Sequence, residues 1–264
     1  MIVVSRDQFG AKEQAYPRQD LLHRRGTHRW VGKLHEQTEG PPGEVRADIE
    51  VEQLERPGGD RPHGDTFELL RSELAESGDP WHERHLFYLA REYAGHGLAC
   101  EAVALIEMLI QHKSPNTGYP IQSSHACLIA GEITNQRGDF EAARHWYLRA
   151  VQEWAAWAEP HYALGLLCYS VAMKHIEHSD AADVIQALFE EAVGWLMAAA
   201  QYQPPAYFTD LTLYSWRRYE ALSVCLARVG RNAEAIIWLQ RAIAGCPQHD
   251  GLRQRLVEWT KEAA

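Results

Sequence analysis

Two histidine pairs stand one helical turn apart, His82 with His85 and His175 with His178. Side chains three residues apart on a helix share a face, so either pair offers two imidazole nitrogens to one metal ion. His82-Glu83-Arg84-His85 falls one residue short of the zinc-protease spacing, which needs two residues between the glutamate and the second histidine. The plainer reading of both pairs is histidine on a helix surface. The five cysteines (Cys100, Cys127, Cys168, Cys225 and Cys246) are widely spaced with no C-x-x-C, and read as reduced packing residues. Neither a glycine-rich phosphate loop nor a nucleophile elbow occurs. The chemistry that remains is recognition. Aromatic residues from Tyr207 to Tyr219 come with Arg217 and Arg218, and Tyr88 stands close to Arg91. Tyr88, Arg91, Tyr214, Trp216 and Arg217 are therefore the candidate groove residues, suited to a peptide or a sugar through stacking and bidentate hydrogen bonds. Trp146, Trp154, Trp157, Trp195, Trp216, Trp238 and Trp259 fall at helical spacing and read chiefly as core, with the stretch from Tyr207 to Tyr219 as the exception.

What must position these residues is a set of repeated helix pairs. Around Gly138 a glycine turn leads into Ala143, Tyr147 and Ala150, spaced by four and three on one helical face. Small residues there let a neighbouring helix come close, and the aromatic fills the remaining space. The arrangement returns as Gly97, Ala102, Ile106 and Leu109, and as Gly230, Ala235, Leu239, Ala242 and Pro247. A further copy, Ala192, Leu196, Ala199 and Pro204, lacks the glycine. Leu89-Ala90, Ala130-Gly131, Leu164-Gly165 and Leu222-Ser223 mark where a first helix meets its second. This resembles the tetratricopeptide pattern and implies a mainly α, TPR-like α-α superhelix. The aligned alanines are 41, 49 and 43 residues apart instead of about 34, so helices are long or turns carry insertions. Lys174–Val184 reads as the largest insertion, and Lys113–Ser124 as a long loop. Leu252–Trp259 reads as the polar-faced cap that a solenoid needs.

Ahead of the repeats the reading changes. Ile2–Val4, Asp20–Arg25, His28–His35 and Val45–Val51 are β-prone, with a turn at Gly40-Pro41-Pro42-Gly43. The expected organisation is a small antiparallel β segment over 1–56, a linker with a short helix over 57–80, and helical repeats over 81–264. So few strands cannot cover both faces, and must lean on the helices or on a further body. Net charge is −10, but residues 1–35 carry +4, which leaves −14 on the remainder. An acidic helical body argues against nucleic acid as a partner. No apolar run reaches the length of a membrane span, and the early charges at Arg6 and Asp7 do not suit a signal peptide, so a cytoplasmic location is expected.

His28-Arg29-Trp30-Val31-Gly32-Lys33-Leu34-His35-Glu36 resembles a strand of family-2 glycosyltransferases that carry tetratricopeptide repeats. In them an Arg-Trp-x-Gly-x-x-His-Glu strand closes a nucleotide-sugar domain of the GT-A type. The resemblance continues through Phe87–Tyr93, Ala158-Glu159-Pro160 and Tyr214–Glu220. It implies a metal-dependent transfer of sugar from a nucleotide diphosphate, with His35 and Glu36 at the metal–diphosphate position. The donor-binding half and its Asp-x-Asp motif are missing from this sequence, and one histidine cannot hold the hard cation usefully without those oxygens. The expectation is a repeat module that recognises an acceptor or a partner protein, one such partner being a catalytic glycosyltransferase half. It is expected not to be catalytic alone, and to use Mn or Mg with a nucleotide-sugar only if that half is supplied. The alternative is a stand-alone scaffold for protein–protein interaction.

Overall fold

A computed structural model describes residues 2–6, 12–17, 29–31, 37–39 and 50–52, helical residues 70–72 and 75, and residues 82–262 except 114–119, 180 and 206–208. His35, Glu36 and the β-prone run 20–25 lie outside the described residues.

Helix pairs make the body. They are α1 (His82–Gly95) with α2 (Ala99–His112), α3 (Pro120–Gln136) with α4 (Phe140–Glu153), and α5 (Ala158–Glu177) with α6 (Ala182–Gln201). A π-helical turn, Leu213–Arg217, then runs into α7 (Arg218–Arg228), which pairs with α8 (Asn232–Gly245) and is closed by α9 (Asp250–Glu262). Each helix packs on the next in sequence, as expected of a solenoid.

The turns within pairs share one device. Gly97, Gly138 and Gly230 have φ of 74°, 80° and 78°, the left-handed region that glycine enters without steric cost. At each, the glycine N–H and the next N–H reach back into the first helix: Gly138 to Asn135 O at 2.9 Å and Asp139 to Thr134 O at 3.0 Å. That crossed pair satisfies carbonyls the helix end would otherwise orphan. Asp139 then caps α4, accepting from Ala142 N at 3.1 Å. In the third pair Ser179 takes the left-handed position at φ 58°.

Small residues set the spacing. Ala102, Ala143, Ala150, Ala192, Ala199, Ala235 and Ala242 are all 0–1% exposed. A Cβ on Gly131 would sit 2.3 Å from the Tyr147 ring, and one on Gly165 would sit 2.5 Å from Leu196, so each glycine is the socket for a large side chain opposite. The apolar clusters overlap from one pair to the next: Leu86, Ile106 and Ala126, then Leu128, Tyr147 and Leu164, then Leu196, Leu222 and Ala235.

The long third repeat has a different cause from the one its sequence suggests. Lys174–Val184 is not an inserted loop: α5 and α6 are 20 residues each, and only 178–181 separate them. The added turns are used, since Lys174 lies 4.1 Å from the Phe140 ring centre and Tyr169 meets Phe189 at 5.7 Å. Similarly, α3 already begins at Pro120, inside the expected loop, with proline at a position where its missing N–H costs nothing.

The strands are β1 (Ile2–Arg6), β2 (Lys12–Pro17), β3 (Arg29–Val31), β4 (Gln37–Glu39), β5 (Glu50–Glu52) and β6 (Thr209–Asp210). One sheet has the order β5-β1-β2-β6, and β3 pairs with β4. The sheet is mixed instead of antiparallel, because β1 pairs β5 in parallel across the long intervening connection. β2, polar and without an apolar alternation, is a strand by pairing with β1 and β6. Through β6 the β segment leans on the helical body, Gln14 opposite Asp210 and Ala15 opposite Thr209.

Candidate ligand groove

The first helices of successive pairs touch: α1 meets α3, α3 meets α5, and α5 meets α7. Among the described residues the second helices do not approach one another as closely, α4 and α6 meeting through the Arg144–Glu191 pair at 2.6 Å. The array therefore curves with its first helices on the inner side. On that side lies a cleft of about 360 Å³. Three stripes line it. His125, Leu128, Glu132 and Asn135 recur at helical spacing along α3; Glu159, Tyr162, Ala163 and Leu166 do so along α5; Thr209, Asp210, Leu213 and Arg217 close the third side.

Glu159 is the joint between the second and third stripes. Its carboxylate, 8% exposed, accepts from the Tyr214 hydroxyl at 2.6 Å and from the Thr209 hydroxyl. Tyr214 in turn accepts from Ala158 N at 3.3 Å. Burial lifts the Glu159 carboxyl above its ordinary range despite those donors, and burial beside Glu159 also raises the Tyr214 phenol.

Asp210 starts the π turn. It accepts from Thr212 N at 2.9 Å and from the Thr212 hydroxyl at 2.5 Å, and its other oxygen binds Arg217 at 2.6 Å. The turn aims three consecutive side chains in three directions. Trp216 goes into the core with Leu239, Cys246 and Leu252 and meets His249 edge-on at 5.1 Å. Arg217 goes to the cleft, 5.8 Å from the Tyr162 ring centre. Arg218 goes inward, 2% exposed, donating to Ala199 O at 2.8 Å and Tyr202 O at 2.6 Å, where the end of α6 presents unpaired carbonyls. Gly245 makes room behind the turn: a Cβ there would fall 1.9 Å from Ser215 O.

Of the residues singled out by sequence, Arg217 lines the cleft and Tyr214 supports it from beneath. Trp216 is the correction: it is a core residue, because neighbouring positions on a helical turn cannot face the same way. Tyr88 and Arg91 stand outside the cleft on α1, where the Arg91 guanidinium lies 5.7 Å from Phe87 and 5.9 Å from Tyr88. The cleft also holds residues that the sequence did not flag. His125 is pushed down to about 3 by burial and by Arg91, so it stays neutral. Glu132 opens onto the cleft, yet the surrounding walls desolvate it and raise its carboxyl. Among the described residues no group of three or more His, Cys, Asp or Glu is placed to hold a metal ion. Nor is any helix there long and apolar enough to cross a membrane.

No family model matches the sequence, and no curated protein matches it. Solved structures do. A structure described as the functional characterization of Pseudomonas aeruginosa pilF shares 15% identity at a TM-score of 0.50, covering 69% of this chain and 68% of that one. A crystal structure of MamA shares 17% identity over 68% of this chain and 85% of that one, at 0.43. TTC0263, a thermophilic TPR protein in Thermus thermophilus, shares 20% over 74% and 88%, at 0.42. At 15% identity the likeness to the pilF structure is one of fold alone.

Proposed function

We propose that this tetratricopeptide-type chain is a scaffold that holds an extended segment of a partner protein in the cleft between α3, α5 and the 209–217 turn. The observation that carries it is the cleft itself: two helical stripes and the 209–217 segment line about 360 Å³ with aromatic, aliphatic and charged side chains, a size and mixture suited to a few ligand side chains. The walls stand on rigid elements, since Glu159 ties the third stripe to α5, Arg218 ties it to the end of α6, and Asp210 braces the turn from within. A rigid cleft loses little entropy when it is filled. Catalysis is not part of this reading. A glycosyltransferase half as the partner is supported by the sequence resemblance alone, and neither the family models nor the curated proteins add to it.

The test is photo-crosslinking in the source cell. A benzophenone amino acid at Leu166, in the cleft, should give a discrete adduct with a protein, and the same probe at Ile237, 51% exposed on α8, should not. Equal adducts from both positions, or none from Leu166, would refute the cleft as the binding surface.

A further inference from the structure

We propose that the cleft receives a cationic side chain, lysine or arginine, from the partner segment, with Glu132 as the anion that meets it. This rests on the cleft reading above and adds the chemistry of the occupant. Among the described residues, the charged groups facing the cleft are Glu132, Glu159, Asp210 and Arg217, and neutral His125 adds nothing. Two of the three carboxylates are already satisfied. Glu159 takes the hydroxyls of Tyr214 and Thr209, while Asp210 takes Arg217 at 2.6 Å and the Thr212 N–H at 2.9 Å. Arg217, the cation of that lining, is thereby neutralised. Glu132 differs: its interaction among these groups is with the neutral Tyr147 phenol, whose proton its charge helps to hold, and not with a cation.

Glu132 is solvent-exposed, but it stands at a concavity with Leu128, Tyr162, Ala163 and Leu166 in its walls. Low-dielectric walls screen its field less than open water does, and they offer apolar surface to the aliphatic stem of a lysine or arginine. Desolvation raises its carboxyl, a cost that an arriving cation reverses. The charge of the repeats agrees in sign. Residues 82–264 hold 20 Asp/Glu and 15 Lys/Arg, a net −5, so long-range attraction favours cationic segments over acidic ones.

The experiment pans a phage library of random linear peptides against the full-length protein. Selected peptides are then synthesised and their binding measured by fluorescence anisotropy. Selected sequences should be enriched in lysine or arginine. Glu132→Gln should weaken their binding about tenfold and Glu132→Lys more, as should changing the peptide's basic residue to norleucine. Ala163→Trp, which fills the cleft, should abolish binding, and circular dichroism checks that each variant is folded. Peptides lost with Ala163→Trp but indifferent to Glu132, or enriched in acidic residues, overturn the cation and leave the cleft standing. Peptides indifferent to Ala163→Trp, or no enrichment at all, overturn both readings together.

Discussion

The junction between α3–α4 and α5–α6 and the junction between α5–α6 and α7–α8 join like to like, yet they differ in how much of the seam is polar. The first is mainly apolar. Leu128 and Tyr147 of one pair pack with Leu164 and Leu167 of the next, and one ion pair, Arg144 with Glu191 at 2.6 Å, crosses beside them. The second adds a polar frame to its apolar cluster: Glu159 with Tyr214 and Thr209, Asp210 with Arg217, and Arg218 on the last carbonyls of α6. Dispersion and burial are non-directional, so the apolar junction fixes distance. Hydrogen bonds are directional, so the polar junction also fixes the rotation of the turn. That is what sends Arg217 to the cleft and Trp216 to the core. Repeat stacking tolerates either material, and the polar one appears where side chains must be aimed.

The comparison is sharpest where a socket is emptied. Leu196→Ala removes a fully buried side chain opposite a glycine that cannot fill the gap, and should cost about 2–5 kcal/mol, read as a lower midpoint in chemical denaturation. A loss below about 1 kcal/mol, the scale of one lost methylene, would show that the packing of α5 on α6 collapses around the change. Tyr214→Phe keeps the ring and removes one donor from Glu159 and one acceptor from Ala158, for about 1.5–3 kcal/mol. It should also loosen the turn, seen as faster amide exchange over 212–218, whereas Leu196→Ala should not change exchange there selectively.

A smaller effect comes from pH. Burial raises Glu159 in the folded state, so folding favours its protonated form. Its stabilising contribution is therefore present below the ordinary value of 4.5 and is lost as pH rises through the raised folded value. Stability of the wild type relative to Glu159→Gln should fall across that window, as followed by denaturation at a series of pH values. A flat difference would mean that the polar junction is not desolvated as its geometry implies. The smallest effect is expected from nucleotides. Calorimetry with uridine or guanosine diphosphate and Mn²⁺ should show nothing tighter than about millimolar, near −4 kcal/mol. Micromolar, metal-dependent binding lost in His35→Ala would instead place a working donor site in the β segment.

The apolar junctions were legible in the sequence, and the polar one was legible only in outline. Gly97, Gly138 and Gly230 announce left-handed turns, and alanines at intervals of four and three announce close crossings, because both signals depend on local geometry. The aromatic run from Tyr207 to Tyr219 shows that something is built there, but a π turn shifts the helical phase. Phase decided that Arg217 and not Trp216 meets the cleft. Glu132 carried no signal, since a glutamate on a helix ordinarily reads as solvated. Only the curvature of the array puts it in a concavity. Lys174–Val184 misled for a related reason: polar residues at the exposed ends of two long helices look like a loop.

First helices touching while second helices stand farther apart also has a mechanical meaning. A strip bent along one edge has its neutral line near the closed edge, where lengths hardly change as the curvature varies. The contacts among α1, α3, α5 and α7 are that edge, and the cleft lies against it. Bending of the array would thus be taken up on the outer side, where the Arg144–Glu191 pair bridges α4 and α6, and would change the distances between Glu132, Tyr162 and Arg217 less. The molecule could flex as a spring and still present much the same mould.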